Sequence, residues 1–334
     1  MKRVISILII VVLIFSLVAC GNSNNSGSED KGNNDKAALD YPKRAIEIIV
    51  PFGAGGSADM MTRQLANMMG DYIDKPVNVI NKAGGGGVDG MNYVAQAPAD
   101  GYTVLQITPS HAIAEALERP NADLTGGFVP VANFQKDIQL FGVAKDSPFN
   151  TIDEVLEYAK ENPGELKIGG TSPGGLDNYM ADGFAEEAGI ELTYVPYNSA
   201  AETKAAVLGG ELDIYQDKVI SFLTMVRAGE IKPLVVLHDE RLEMIDELKD
   251  VPTTVEKGIN FTQGSWRGFA VKAGTPQEIV DYLEDVIEKV YNSDVYREAA
   301  EKDMSDIIPG FIGQEEYGQM WKDEIAKFKK ILVK

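Results

Sequence analysis

From residue 41 onward, short apolar runs of strand length alternate with stretches whose apolar side chains recur every three or four positions. This alternation predicts an α/β fold with mainly parallel sheet. Strands are expected at residues 46–51, 77–81 and 102–108, and Met61, Leu65, Met68 and Tyr72 mark one face of a helix between the first two. Residues 129–148 replace the alternation with one longer extended stretch. A second series follows, with helices at 152–160, 176–188, 201–208 and 220–228 and strands at 166–169, 192–197, 212–216 and 233–237. Residues 266–276 are again extended, and Ile279, Leu283, Val286, Ile287 and Val290 then line one stripe of a helix. One α/β series set inside another, with two extended crossings, predicts two lobes on a two-stranded hinge. Lobe 1 takes residues 41–143 and 265–334, lobe 2 takes 144–264, and the bends fall near 142–147 and 262–268. No fixed-period repeat is found.

The first 40 residues follow neither pattern. Lys2 and Arg3 precede an uncharged apolar run closed by Leu17-Val18-Ala19-Cys20. The run has signal-peptide proportions, so residues 1–19 read as a leader. It falls short of the ~20 apolar residues that a spanning helix needs. Cys20 is the only cysteine, which rules out an internal disulfide. Leu-Val-Ala-Cys resembles the bacterial lipobox, and that resemblance implies lipidation of Cys20 and attachment to a membrane. Residues 20–40 carry scarcely an apolar side chain before Ala37, too little to offset the entropy of ordering them, so they are expected to form a flexible tether. Roughly 290 residues remain, enough for two domains of ordinary size.

Charge narrows the partners. The whole chain has a net charge of −20; without Lys2 and Arg3, 29 basic residues face 51 acidic ones, a net of −22. Nucleic acid, which is held by basic patches, is disfavoured. The overall field does not attract anions either, so an anion site has to rely on local dipoles.

One such dipole is marked. Gly53-Ala54-Gly55-Gly56-Ser57-Ala58 has the G-x-G-x-x-A spacing of a dinucleotide fingerprint, and Gly85 to Gly90 repeats it after the next strand. The nucleotide reading needs an acid where the second strand ends in Asn81, and a P-loop needs a lysine after Gly56; neither is present. The physics holds without a nucleotide. A glycine turn lets a ligand approach the backbone, and the first amides of the following helix lack internal partners and sit at its positive end. Gly55, Gly56 and Ser57 therefore offer N–H groups to a carboxylate with no arginine involved. Asp59, in the first helical turn, has two readings. It complements the dipole, worth ~0.3–1 kcal/mol, or it accepts from a ligand ammonium or hydroxyl.

A catalytic alternative exists. Gly170-Thr171-Ser172-Pro173-Gly174 reads as G-x-S-x-G between a strand and a helix, and Asp217 and His238 follow in the order of a serine hydrolase triad. The oxyanion hole of that fold uses the amide after the nucleophile, and Pro173 has none. Losing one such donor costs ~2.7–4 kcal/mol of transition-state stabilisation, which argues against Ser172-Asp217-His238 as an esterase. Thr171 and Ser172 read instead as hydroxyl donors at a second helix N-terminus. The only other histidine is His111, so no metal site of zinc-like spacing is expected.

Read together, the segments "YPKRAIEIIVPFGAGGSAD", "KPVNVINKAGGGGVDG", "PADGYTVL", "VPY" at 195–197, "LGGELDI", "VPTTVEKG" and "WRGFAVKAGTP" resemble the substrate-binding proteins of tripartite tricarboxylate transporters, the TctC or Bug family. The resemblance extends from Tyr41 to the C-terminus. It implies a type II periplasmic-binding-protein fold, an interlobe ligand cleft, no catalysis and no cofactor. It also implies an extracytoplasmic location and a partnership with integral-membrane permease subunits; the receptor is expected to be a lipid-anchored monomer. Its ligands would be organic carboxylates: di- or tricarboxylates, aromatic acids or acidic amino acids. By position, the first lobe contributes Phe52, Ala54, Gly55, Gly56, Ser57, Asp59, Thr108 and Ser110, and the second contributes Thr171, Ser172, Asn178 and Asp217. The second-lobe loop departs from the family's Ser-x-Gly-x-Gly followed by His, since it has Asn178, and "INKAGGGG" stands where "ENRPGAGG" is usual. Donors facing each other across the cleft suit a compact diacid, one carboxylate per lobe. A ligand sensor without transport is a lesser variant of the same reading.

Overall fold

The computed structural model describes residues 39–334 apart from Ser172, Asn198, Asp306 and Lys334. The leader, Cys20 and nearly all of the tether lie outside those residues.

The first α/β series comprises β1 (Ile46–Val50), α1 (Ser57–Met69), β2 (Val77–Asn81), α2 (Val88–Ala95), β3 (Thr103–Ile107), α3 (Pro109–Ala116) and a single turn, α4 (Leu124–Gly127). A 17-residue strand, β4 (Phe128–Ala144), follows. The second series is α5 (Ile152–Glu161), β5 (Lys167–Thr171), α6 (Leu176–Ala188), β6 (Thr193–Tyr197), α7 (Ala200–Leu208), β7 (Tyr215–Lys218), α8 (Val219–Arg227) and β8 (Ile231–Val236). The chain closes with β9 (Gly264–Lys272), α9 (Gln277–Tyr291), α10 (Asp294–Asp303), β10 (Ile312–Gly313) and α11 (Gln314–Leu332).

β1 pairs in parallel with β2 and β3, and β9 joins β3 antiparallel, so the first sheet runs β10-β4-β9-β3-β1-β2. Central position explains the sequence of β1: it is covered on both faces and reads as an apolar run rather than as an alternation. α1 buries Met61, Leu65 and Met69 against this sheet. It ends at Gly70, so Tyr72, expected on the same stripe, lies beyond the helix and is 40% exposed. On the α9 stripe Leu283, Val286, Ile287 and Val290 are buried, while Ile279, expected with them, is half-buried beside a buried Val280.

β4 carries the two-lobe architecture. Its first part, to Ile138, pairs with β9, whose Gly264 faces Ile138; from Gln139 onward it pairs with β7 and β8 of the second series. β4 and β9 are thus the two crossing strands. The change of partner falls at 138/139, before the bend expected at 142–147, and residues 139–143 pair with the second series although the expected boundary gave them to the first. Periodicity marks a stretch as extended, but which strand lies beside it is set by tertiary pairing. The strand expected at 212–216 differs for a related reason. Leu212 and Ile214 are core residues, but Ile214 makes only an isolated bridge to Ile168, and the regular ladder starts at Tyr215. Behind the crossing the core is continuous: Tyr179 of α6 meets Phe328 of α11 edge-on at 4.5 Å.

Candidate functional site

The ends of β1, β3, β5 and β7, with the starts of α1, α3, α6 and α7, border a cleft of about 720 Å³ on the hinge face, whose lining includes Gln139, Ser265 and Arg267. A depression of about 990 Å³ lies elsewhere, against α11, but it carries Glu284, Glu315 and Glu316 against a single Lys322, a poor setting for an anion. The hinge-face cleft is the better candidate because helix N-termini converge on it: the first turns of α1, α3, α6 and α7 all line it.

The glycine turn before α1 is built as the spacing suggests, with one difference. Gly55 has φ +80°, a left-handed conformation in which a side chain is strained, and Gly56 caps α1 with no side chain of its own. Asp59 holds the turn from below. Its Oδ2 accepts from the Gly55 amide at 2.8 Å and from Arg63 Nε at 3.1 Å, and its Oδ1 meets Asn81 Nδ2 and Arg63 Nη2, both at 2.9 Å. The Arg63 hydrogen bond leads the causes that hold its carboxyl at about 2. Asp59 is 3% exposed, and both of its oxygens are committed inside the first lobe. The expected ligand contact at Asp59 is thereby corrected, and so is the free amide of Gly55, which is already used. Phe52, Ala54, Gly56 and Ser57 do line the cleft, as do Thr108 and Ser110.

Thr108 caps α3, and its amide donates to His111 Nδ1 at 3.0 Å. Burial pushes His111 down to about 4, so the ring is neutral at pH 7. The second glycine motif belongs to this ring rather than to a ligand. A Cβ on Gly87, whose φ is +106°, would stand 2.7 Å from His111 Nε2.

On the second lobe, Thr171 lines the cleft and is tied to Asp177, whose Oδ2 accepts from the Thr171 amide at 2.7 Å and from its hydroxyl at 2.8 Å. Burial raises the Asp177 carboxyl. Ser172 lies outside the described residues. Asn178 accepts from the Gly174 amide at 3.0 Å and donates to Asp182 at 2.9 Å. It braces the loop and is not among the residues lining the cleft, which corrects its expected role. Asp217 is in the cleft and accepts from the Tyr215 hydroxyl at 2.6 Å and from the Lys218 amide at 2.8 Å. His238 lies in a separate depression, with Nδ1 3.0 Å from Asp239. The described members of the alternative triad are therefore engaged elsewhere, Asp217 with Tyr215 and His238 with Asp239.

The expectation of a cleft without arginine fails. Arg267, 4% exposed on β9, sends Nη2 to Ser57 Oγ at 3.1 Å and Nη1 to Gln135 Oε1 at 3.1 Å and Asp137 Oδ2 at 2.5 Å. Lys218, from the second lobe, reaches the same Ser57 Oγ at 3.3 Å and lies 3.6 Å from Asp137. Burial, then the neighbouring guanidinium, push the Lys218 ammonium down. Burial alone would raise Asp137, but Arg267 and Lys218 outweigh it and hold that carboxyl low. An arginine inside an apolar strand was the legible signal for Arg267, because a charge is seldom buried unpaired. Lys218, Asp177 and Gln216 carried no such mark.

Two α/β lobes on a crossing strand pair, with a cleft in which first-lobe amides and hydroxyls meet one cation from each lobe, define a solute-binding receptor of periplasmic-binding-protein type. The chain belongs to the tripartite tricarboxylate transporter family receptor (TctC) family, which it matches over residues 61–334. It is 30% identical over 302 residues to the UPF0065 protein of the gbd 5′ region of Cupriavidus necator, covering 88% of each chain. It is also 30% identical over 264 residues to the protein BugT of Bordetella pertussis, covering 78% of this chain and 80% of that one. Among solved structures it resembles a TctC solute-binding protein from Polaromonas (TM-score 0.75, 26% identity, 88% and 99% of the two chains). It likewise resembles R. palustris Rpa4515, solved with adipate (TM-score 0.76, 27% identity, 88% and 98%).

Proposed function

We propose that the protein is an extracytoplasmic receptor that captures a small organic carboxylate in the hinge-face cleft and delivers it to the permease subunits of a tripartite tricarboxylate transporter. One observation carries this reading. The uncapped start of α1, with Ser57 Oγ, stands beside Lys218 and Arg267 in a cleft between two lobes. Bare amides at a helix N-terminus and two adjacent cations suit a carboxylate, and neither feature favours a neutral sugar. The adipate bound by the R. palustris relative supports the same class.

In this reading the ligand enters an open cleft, one carboxylate meets the start of α1, and the lobes close about the strands β4 and β9. We take the lobes as residues 41–143 with 265–334, and 144–264. Cys20 is the lipid attachment point, and residues 20–40 tether the receptor near its permease as a monomer. No reaction step is required.

A thermal-shift panel tests this. A ligand at a hundred times its dissociation constant stabilises the folded form by ~2.7 kcal/mol. Di-, tri- and amino-carboxylates of four to six carbons are expected to raise the melting temperature above the shift given by sugars or nucleotides. A nucleotide or neutral sugar giving the only shift overturns the carboxylate reading.

A further inference from the structure

The two sides of the cleft differ in character. The first-lobe side has amide and hydroxyl donors and the Arg267 guanidinium, and the Lys218 ammonium reaches over from the second lobe to the same Ser57. The second-lobe side combines the first turns of α6 and α7 with a cluster of side-chain acceptors.

Gln216 is the most informative of these. It is 5% exposed and lines the cleft, and its Oε1 is buried with no hydrogen-bond partner among the described residues. Its amide orientation is fixed. Nε2 donates to the carbonyl oxygens of Gly169 at 3.0 Å and Asp177 at 3.1 Å, and turning the amide over would set its oxygen against both. A buried acceptor left unsatisfied is costly, so it points to a donor supplied from the cleft.

Two carboxylates accompany it. Asp177 uses Oδ2 for both Thr171 donors, and its Oδ1 is unpartnered among the described residues. Asp217 spends one acceptance per oxygen, on Tyr215 and on the Lys218 amide, and a carboxylate has about four such positions. The ammonium of Lys218 reaches across to Ser57 and Asp137 and does not cap this wall. A second carboxylate arriving here would meet the acceptor oxygens of Asp217, Asp177 and Gln216; an ammonium could donate to all three.

We propose that Gln216, Asp177 and Asp217 form a subsite for a protonated amine, and that the receptor selects amino-substituted carboxylates over the corresponding plain diacids. The ligand's carboxylate lies at the start of α1 and its ammonium at the second lobe. This rests on the carboxylate-receptor reading and narrows its ligand class.

The test is titration calorimetry with pairs that differ only in the amino group: glutamate against glutarate, and aspartate against succinate. At least one amino member is expected to bind about ten- to a hundredfold tighter than its partner, the range for losing a hydrogen bond to a charged group. Asp217→Asn, with the melting temperature of the unliganded protein unchanged, should cut that preference to about threefold or less. Glutarate or succinate binding as tightly as the amino partner overturns the subsite and leaves the receptor reading intact. So does 2-hydroxyglutarate binding as tightly as glutamate, because a hydroxyl would then suffice. An unchanged preference in Asp217→Asn removes the charge argument. Silence from every carboxylate in the panel removes the receptor reading and the subsite together.

Discussion

Asp59→Asn separates a ligand contact from a buried brace. The brace has a pH signature. The usual carboxyl value near 3.8 falls to about 2 in the folded protein. A depression of that size corresponds to roughly 2 kcal/mol at neutral pH. Arg63 is 48% exposed, and solvent screening reduces this to about 1–2 kcal/mol. The folded value is depressed, so the stabilisation is fully present above about pH 4 and is lost as pH falls toward 2. With the unfolded value near 3.8 and the folded value near 2, about half of it remains at pH 3. Urea unfolding of wild type and Asp59→Asn at pH 7, 5 and 3 should give a gap of about 1–2 kcal/mol that halves at the lowest pH. Ligand binding should weaken by the same factor for glutamate and glutarate, because the variant loosens the Gly55 turn that presents the α1 amides. A gap constant from pH 7 to 3 refutes the ionic brace. Selective loss of the amino ligand would restore Asp59 as an ammonium contact.

Other variants address the remaining parts of the site. Arg267→Met leaves Asp137 with Lys218 as its one remaining cationic partner, and is expected to cost about 2–4 kcal/mol of stability as well as binding; an unchanged denaturation midpoint contradicts the buried pair. Gly87→Ala forces a Cβ to 2.7 Å from His111 Nε2 and strains a positive φ, so the melting temperature should fall while the dissociation constant changes by less than about twofold; unchanged stability sinks the packing role of that turn. Small-angle scattering should report a smaller radius of gyration with saturating ligand, provided the unliganded form is open, through rotation about β4 near 138/139 and β9 near Gly264; identical profiles from an open unliganded form count against hinge closure. Cys20→Ser should give uncleaved or mislocalised precursor by intact mass and membrane fractionation, and normal processing with membrane retention defeats the lipoprotein reading.

The local pattern determined a great deal. The apolar run of β1, the glycine turn and the α1 stripe sit next to one another in the chain, so their periods were readable without any partner. The α/β order, the long extended crossing and the anion-ready helix start at Gly56 and Ser57 came from the same source. The family resemblance lay in contiguous segments and was legible too. Tertiary structure decided what depends on distance across the fold. Asp59 looked available beside the turn until Arg63 and, from β2, Asn81 closed on it. Ser57 meets Lys218 and Arg267 across sequence separations of 161 and 210 residues, a meeting that no local period encodes. The orphan oxygen of Gln216 exists only because Gly169 and Asp177 fix its amide. Periodicity reports which face of an element is buried, whereas the polarity of a cleft is set by side chains brought together from separate strands, each satisfying or leaving open another's hydrogen bonds.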